Sequence, residues 1–441
     1  MVALARQIAT RVLHRVARDD AWAARTLDAE LQRTSVSRTD AALATQIVYG
    51  TLRAAPTLEA ALARHVRRPI KVDAWTHAVL MGAVYQLLHL ERVPSHAAVN
   101  DAVELVRMKR GKRLAGFVNA VLRKVAADRP EVREPPTSVA VPSWLEGALR
   151  SSIGAEHTED LLRVGGAPPS IDLRVRTDED RDAIAETILA AQPDALVSHT
   201  ALSPLGLRVS GAGDPRSLPG YEAGAFAVQE EGAQLIGMLL NAQLGERVLD
   251  ACAGRGGKTA LLLEAVGGTG RLVATDLHEH RLKQISAELM RLRLDPAGLE
   301  TACVDWTVGK GAVRDGFDRV LVDAPCTGLG TLRRRPEILL RSKLEDAARM
   351  GETQRRVLEN AARLVRPGGT LLYAVCSPLD DEGPGVALAA DLPGFRLQAG
   401  SASCLKSLDF GSSGRLDLGP WVQGAGPWAD AYQIYMWVNV G

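Results

Sequence analysis

Apolar residues in the first third of the chain recur three or four positions apart, as in Ile8, Val12 and Val16, and again in Val79, Ala83 and Leu87. That spacing is the period of one helix face. It predicts an all-helical block over 1–135, with Pro56, Pro69, Pro94 and Pro130 at helix boundaries. Ser95, just after Pro94, is the expected N-cap of a helix over 96–106. The Pro-rich stretch 131–143 reads as a linker. The pattern is then mixed: a helix near 144–153, a strand over 170–175, a helix over 180–191, and strands near 196–200 and 206–209. From 223 onward apolar strand runs alternate with helical runs. The expected strands are 247–251, 271–275, 301–304, 318–322 and 370–375, with helices over 258–265, 279–293 and 344–364 between them. Such alternation predicts a doubly wound parallel sheet. The expected fold is therefore multidomain: an all-α head (1–135), a small α+β domain (140–222), and an α/β Rossmann-like domain (223–441).

Composition leaves this picture intact. The chain is 46% hydrophobic and 24% charged, as in a soluble globular protein. No apolar run reaches the roughly 20 residues of a membrane span. The first 25 residues carry Asp19 and Asp20 and lack a signal-peptide core, so they read as the first helix of a cytoplasmic protein. Charge does change the picture. Residues 1–135 hold 22 Lys+Arg against 13 Asp+Glu, leaving 31 against 39 for the rest of a chain whose net charge is +1. A basic head with a more acidic body suggests that the head meets a polyanion. The densest cluster is Arg107, Lys109, Arg110, Lys112 and Arg113, expected in a turn between two helices, where RNA phosphates are within reach. The alternative is an ordinary solvated loop.

Five cysteines (Cys252, Cys303, Cys326, Cys376 and Cys404) are too scattered for a disulfide framework, and no Cys-x-x-Cys pair suggests zinc. No metal is expected, and a monomer is. The first Rossmann strand runs into Asp250-Ala-Cys252-Ala253-Gly254-Arg-Gly256-Gly257-Lys258-Thr259. A phosphate-cradling loop would need glycine at Cys252, and a dinucleotide loop would need it at Thr259. What remains is the looser glycine turn of S-adenosylmethionine enzymes, or a plain turn with strand-end caps. Asp276 ends the next strand, where an acid bonds ribose hydroxyls, and Asp305 follows the third, within reach of an adenine amino group. Cys252, Cys303 and Cys404 read as inert small apolar side chains. Cys326 and Cys376 differ. They leave the fourth and fifth strands, which are neighbours in a sheet of order 3-2-1-4-5, so both thiols face one cleft. An acid, two thiols and a methyl donor suit methylation at carbon 5 of cytosine, where a thiolate must first add to carbon 6.

Two resemblances carry this further. The pattern VPSHAAVNDAVELVR…GFVNAVLRK resembles the NusB-like helical RNA-binding domain over about the first 130 residues. Asp323-Ala-Pro-Cys326-Thr-Gly-Leu-Gly-Thr-Leu-Arg333-Arg334-Arg335-Pro-Glu-Ile, together with Ala374-Val-Cys376-Ser377, closely resembles the Nol1/Nop2/Sun family of RNA cytosine-5 methyltransferases. The combination implies S-adenosylmethionine as cofactor and small-subunit ribosomal RNA as substrate. It implies Cys376 as nucleophile, Cys326 as the residue that aids release, and Asp323 holding the cytosine edge. Lys258, Asp276 and Asp305 would complete the site. Cys252, Ala253, Gly254, Gly256 and Gly257 would form the cofactor loop, and Gln229-Glu230 matches the family segment before it. Arg333, Arg334 and Arg335 are expected to contact RNA phosphates or orient the next helix. The chain departs from the family at Arg255 (usually proline), Val375 (threonine), Gly383 (asparagine) and in its last strand, which lacks Asp-Gly-Phe-Phe. Rival expectations are a transfer-RNA cytosine methyltransferase and a non-catalytic RNA-binding or ribosome assembly factor.

Overall fold

A computed structural model describes residues 2–34, 36–66, 72–130, 137–167, 169–401, 405, 408–422 and 429–441. Pro69, Cys404, Trp428 and the first six linker residues lie outside the described residues. Packing divides the described chain into two compact units. One comprises Met1–Gly147, Leu162–Pro168 and Leu332–Lys343; the other comprises Ala148–Leu161, Pro169–Thr331 and Leu344–Gly441. The strands expected within the middle domain (140–222) all fall in the second unit.

The first unit is built from α1 (Leu4–Asp19), α2 (Ala23–Arg33), α3 (Arg38–Arg53), α4 (Ala55–Ala63), α5 (Ala74–His89), α6 (Ser95–Arg110) and α7 (Lys112–Ala127). The four-residue spacing of Ile8, Val12 and Val16 places all three in the core, against α3 and α5. Helix α5 starts where the Asp73 carboxylate accepts from the N–H groups of Trp75 and Thr76, at 3.1 and 3.4 Å. Its Leu80 and Leu87 are fully buried, each stabilising by about 1.5–3 kcal/mol. Ser95 is not an N-cap. It is the first helical residue, and Pro94 holds the cap position with no side-chain bond. The basic cluster is not a loop either. Helix α6 runs to Arg110, and the turn to α7 is Gly111 alone, at φ 83°, a conformation that favours glycine.

In the second unit, α8 (Ser143–Gly166) contributes its middle part and kinks at Gly154. A four-stranded antiparallel sheet follows, from β1 (Ile171–Val175), β2 (Leu196–His199), β3 (Gly206–Ser210) and β4 (Phe226–Val228), in order β2-β3-β1-β4. Helix α9 (Arg181–Ala191) lies between β1 and β2, and α10 (Glu231–Leu239) follows β4. The main sheet takes β5 (Arg247–Asp250), β6 (Arg271–Asp276), β7 (Leu299–Cys303), β8 (Phe317–Asp323), β9 (Val365–Val375), β10 (Phe395–Leu397), β11 (Arg415–Leu418) and β12 (Tyr432–Asn439). Helices α11 (Gly257–Val266), α12 (Glu279–Arg291), α13 (Asp346–Ala362) and the short α14 (Pro384–Ala387) alternate with these strands. The order is β10-β12-β9-β8-β5-β6-β7, with β11 added beside β12. The five strands from β5 to β9 are parallel, and β12 is antiparallel to β9, as its alternating apolar sequence suggests. Their central residues are buried on both faces: Val248, Leu249, Leu321, Leu371 and Leu372 have no exposed surface. Consequently every polar group that leaves β5, β6, β8 and β9 at its C-terminal end emerges along one edge.

Candidate active site

Strands β8 and β9 are adjacent and in register, Asp323 opposite Ala374, so the residues that follow them leave the sheet together. The Sγ atoms of Cys326 and Cys376 lie 3.3 Å apart, both half-buried. The hydrogen bond between the two thiols pushes the pKa of Cys326 well above its ordinary range, with burial adding to it. Of the pair, Cys326 is thereby held towards its protonated form. Beside the thiols, Lys258 Nζ donates to Asp323 Oδ2 at 2.6 Å. Burial opposes the Lys258 charge, yet Asp323, then Asp250, more than offset it and raise the lysine's pKa. The loop that follows β8 and carries Cys326 is anchored to the β9 side. The Gly330 N–H donates to the Cys376 carbonyl at 3.0 Å, and the Ala431 N–H donates to the Gly330 carbonyl at 3.0 Å. Glu382, fully buried, accepts from the Thr327 N–H (2.7 Å), the Thr327 hydroxyl (2.5 Å) and Gln354 (2.9 Å), which fixes the residue after Cys326.

The glycine loop sits at the N-terminus of α11. Gly254 and Gly256 have φ of 58° and 87°, and a Cβ on Gly254 would meet nothing within 4 Å. Asp276 Oδ2 accepts from the Gly254 N–H at 3.1 Å, and Oδ1 accepts from His278 N–H at 2.8 Å. Asp305 lies two residues past β7, exposed, its Oδ1 accepting from the N–H and hydroxyl of Thr307. Arg174, fully buried on β1, donates to Gln229 at 2.9 Å and pairs with Glu264 of α11, while Glu230 caps α10 through the Ala233 N–H. This ties the small sheet to the element that begins at the loop. Cys252 is half-buried, and burial raises its pKa well above the usual thiol range. Cys303, read from sequence as a buried small side chain, is exposed, because β7 is the sheet edge.

Asp250 is the last residue of β5. It is 1% exposed and accepts from the Thr259 hydroxyl at 2.8 Å through Oδ2, while its Oδ1 has no partner among the described residues. Burial raises its pKa to about 7. Between its ordinary value of 3.8 and about 7 the folded chain holds a proton that the unfolded chain has lost. Stability conferred by this group thus falls as pH rises through that window and levels off above it. Asp250→Asn has no such titration. The melting temperature of the wild type relative to this variant is expected to fall from pH 5 to pH 7 and stay level from pH 7 to 9; a flat difference throughout would contradict it.

The expected RNA-contacting residues divide. Arg107, Lys109, Arg110, Lys112 and Arg113 are all exposed at the α6–α7 junction. Three of them have local partners: Arg107 pairs with Glu104, Arg110 with Asp73, and the Lys109 ammonium sits 3.5 Å from the Trp75 ring centroid. Arg107, Lys112 and Arg123 line a surface groove of about 600 Å³ with Asn100 and Asn119. Arg333 does not belong with them. It is 2% exposed and part of the first unit, where its carbonyl accepts from Arg53 at 2.9 Å. It cannot reach a phosphate, because the segment 332–343 folds into the helical unit; Arg334 in the same segment is half-buried. Glu382, Asp250 and Gln433 are among the polar residues at this edge to which no sequence motif assigns a role. The one available signal was the acidic run Asp380-Asp381-Glu382 directly after the Cys376 strand.

Comparison with known proteins now adds to this geometry. The family model "16S rRNA methyltransferase RsmB/F" matches residues 237–390, and the NusB family model matches residues 3–127. The chain is 35% identical over 403 residues to ribosomal RNA small subunit methyltransferase B of Pseudomonas putida, covering 89% of this chain and 90% of that protein. It is 32% identical over 381 residues to the probable ribosomal RNA small subunit methyltransferase B of Bacillus subtilis, covering 84% of both. Among solved structures, that of PH0851 superimposes with a TM-score of 0.80 at 21% identity over 99% of both chains. NSun6 from Pyrococcus horikoshii with SFG gives 0.57 at 16% identity, covering 68% of this chain and 98% of that one. These two show a shared fold. The sequence identity across nearly the full length of both relatives shows more: the chain belongs to the RsmB/F family of 16S rRNA methyltransferases.

Proposed function

We propose that this chain transfers a methyl group from S-adenosylmethionine to carbon 5 of a cytosine in small-subunit ribosomal RNA, in the cytoplasm, through a covalent bond from Cys376 to carbon 6. The observation that carries the reading is the pair of thiols 3.3 Å apart at the ends of adjacent strands, beside the Lys258–Asp323 ion pair. The names of the relatives support the choice of RNA.

The loop fits the cofactor. Space opens in front of Gly254, helix α11 turns its electropositive N-terminus towards it, and carboxylates stand at or just past the ends of successive strands at Asp276 and Asp305. That a related fold was solved with SFG, an S-adenosylmethionine analogue, supports this. When bound, S-adenosylmethionine supplies an electrophilic methyl on a positively charged sulfur. Cys376 attacks carbon 6 as a thiolate, while Asp323 stabilises the proton arriving at ring N3. The ring's electron pair would then form the bond from carbon 5 to the methyl as the methyl–sulfur bond breaks, its electron pair staying on the sulfur. While Cys376 is an ionised neighbour, Cys326 is kept protonated. Once Cys376 is bonded to carbon, that largest cause disappears and Cys326 ionises more readily. Its thiolate takes the carbon 5 proton as the sulfur–carbon 6 bond breaks, the electron pair leaving on Cys376, and the ring N3 proton returns to Asp323. The exposed cations around the α6–α7 groove, Arg107, Lys112 and Arg123 among them, provide a surface for RNA phosphates.

Bisulfite sequencing of ribosomal and transfer RNA from a strain lacking the gene tests the reading. One 5-methylcytosine of the small-subunit RNA is expected to vanish and to return with the intact gene. Loss confined to transfer RNA would move the substrate to the transfer-RNA alternative.

A further inference from the structure

The turn that carries Cys376 away from β9 is held from a strand more than fifty residues on. Gln433 of β12 stands opposite Val375 and is 1% exposed. Its Nε2 donates to the carbonyls of Ser377 and Leu379, at 2.8 and 2.9 Å. Both partners are acceptors, so the amide's orientation is fixed. Its Oε1 is buried, bonds to nothing among the described residues, and faces Gly383: a Cβ there would come within 1.8 Å of it. Gly383 thus leaves the space into which the amide of Gln433 fits. It directly follows Glu382, the carboxylate that holds Thr327 beside the other thiol.

We infer that Gln433 is the positioning residue of the Cys376 turn and that Gly383 is glycine in order to admit it. This rests on the reading of Cys376 as nucleophile. Gln433 touches no reacting atom. It fixes the two carbonyls that follow the nucleophile, and so the direction in which the thiol leaves the sheet. A displacement of about 1 Å at such a group costs on the order of 10²-fold in rate. Adding a methyl at 383 would act through the same amide. Because Gln433 is enclosed, it can yield only by giving up its bonds to Ser377 and Leu379.

The test measures methyl transfer to small-subunit RNA by the full-length chain as Q433M, G383A, Q433A and the double variant G383A/Q433A. Methionine fills the volume without donating. Q433M and G383A are each expected to lower kcat roughly 10- to 100-fold, with KM for RNA and for S-adenosylmethionine within about twofold of wild type. G383A should cost nothing further once Q433A is present. Wild-type kcat in Q433M, or losses that multiply in the double variant, overturns the inference. Should Q433M fail to fold, Gln433→Glu serves: its carboxyl donates only when protonated, so its kcat relative to wild type should rise as pH is lowered from 9 to 6. A flat ratio overturns the hydrogen-bond role. Cys376→Ala in the same assay separates the two readings. If it remains active, the nucleophile assignment fails; if it is dead while Q433M is normal, only the positioning inference fails.

Discussion

Cys376→Ala is expected to abolish methyl transfer, and Cys326→Ala to leave a covalent protein–RNA adduct that persists on a denaturing gel. These opposite outcomes from two thiols 3.3 Å apart follow from the asymmetry of the pair. Cys326 is kept protonated, first by its hydrogen bond to Cys376 and then by burial, so it is the poorer attacker of the two. Without Cys376 no sulfur–carbon 6 bond forms, carbon 5 stays unactivated, and the rate falls on the order of 10⁵-fold or more, as for other covalent nucleophiles. Without Cys326 the attack and the methylation proceed, but nothing removes the carbon 5 proton and the bond to Cys376 cannot break. Radiolabelled RNA incubated with each variant and S-adenosylmethionine, then run under denaturing conditions, reads both results at once. Normal turnover of Cys326→Ala without a shifted band would rule out the two-thiol mechanism.

Much of this site was legible in the sequence because topology did the arithmetic. Two thiols fifty positions apart mean little by themselves. Once each is seen to follow an apolar strand, and the two strands to be neighbours, they must emerge together. The same logic placed Asp276 at a strand end and Asp305 just beyond one. The misreadings have a common cause: a side chain's environment is decided by packing that no local pattern encodes. Arg333 sits in a run of three arginines, as a phosphate-binding stretch would, yet its segment folds into the helical unit and buries it beside Arg53. Cys303 follows an apolar alternation, but on an edge strand one flank is open. The partnership of Gln433 with Gly383 was beyond reach. It depends on the register that sets Gln433 opposite Val375 and on a space no wider than one methyl group. Two departures from the family pattern, Gly383 and the divergent last strand, turn out to touch each other.

Asp323→Asn lowers kcat on the order of 10²-fold or more while the chain stays folded, the usual magnitude for a proton-handling group. Asp323 uses Oδ2 to accept from Lys258, and 28% of its side chain remains exposed, which leaves a carboxylate edge for the ring. Asparagine keeps the shape and loses the charge that stabilises a proton at ring N3. Asp323→Ala goes further, because Lys258, only 13% exposed, is left without its nearest counter-charge. Removing one partner of such a charged hydrogen bond costs about 2 kcal/mol, whereas removing both, as in a Lys258→Met/Asp323→Ala double variant, should cost less than the two single losses combined. The pH dependence has a definite sign. Lys258 has a raised folded-state pKa, so the stability it contributes is fully present below the ordinary lysine value and is lost only as pH climbs through the raised one. The melting deficit of Asp323→Ala should therefore be constant from pH 6 to 9 and shrink only in more alkaline buffer. Thermal melts of wild type, Asp323→Asn, Asp323→Ala, Lys258→Met and the double variant across that range, paired with single-turnover methylation at pH 7.5, check both halves. A deficit that already vanishes by pH 8 would mean that the ion pair does not hold the two side chains together.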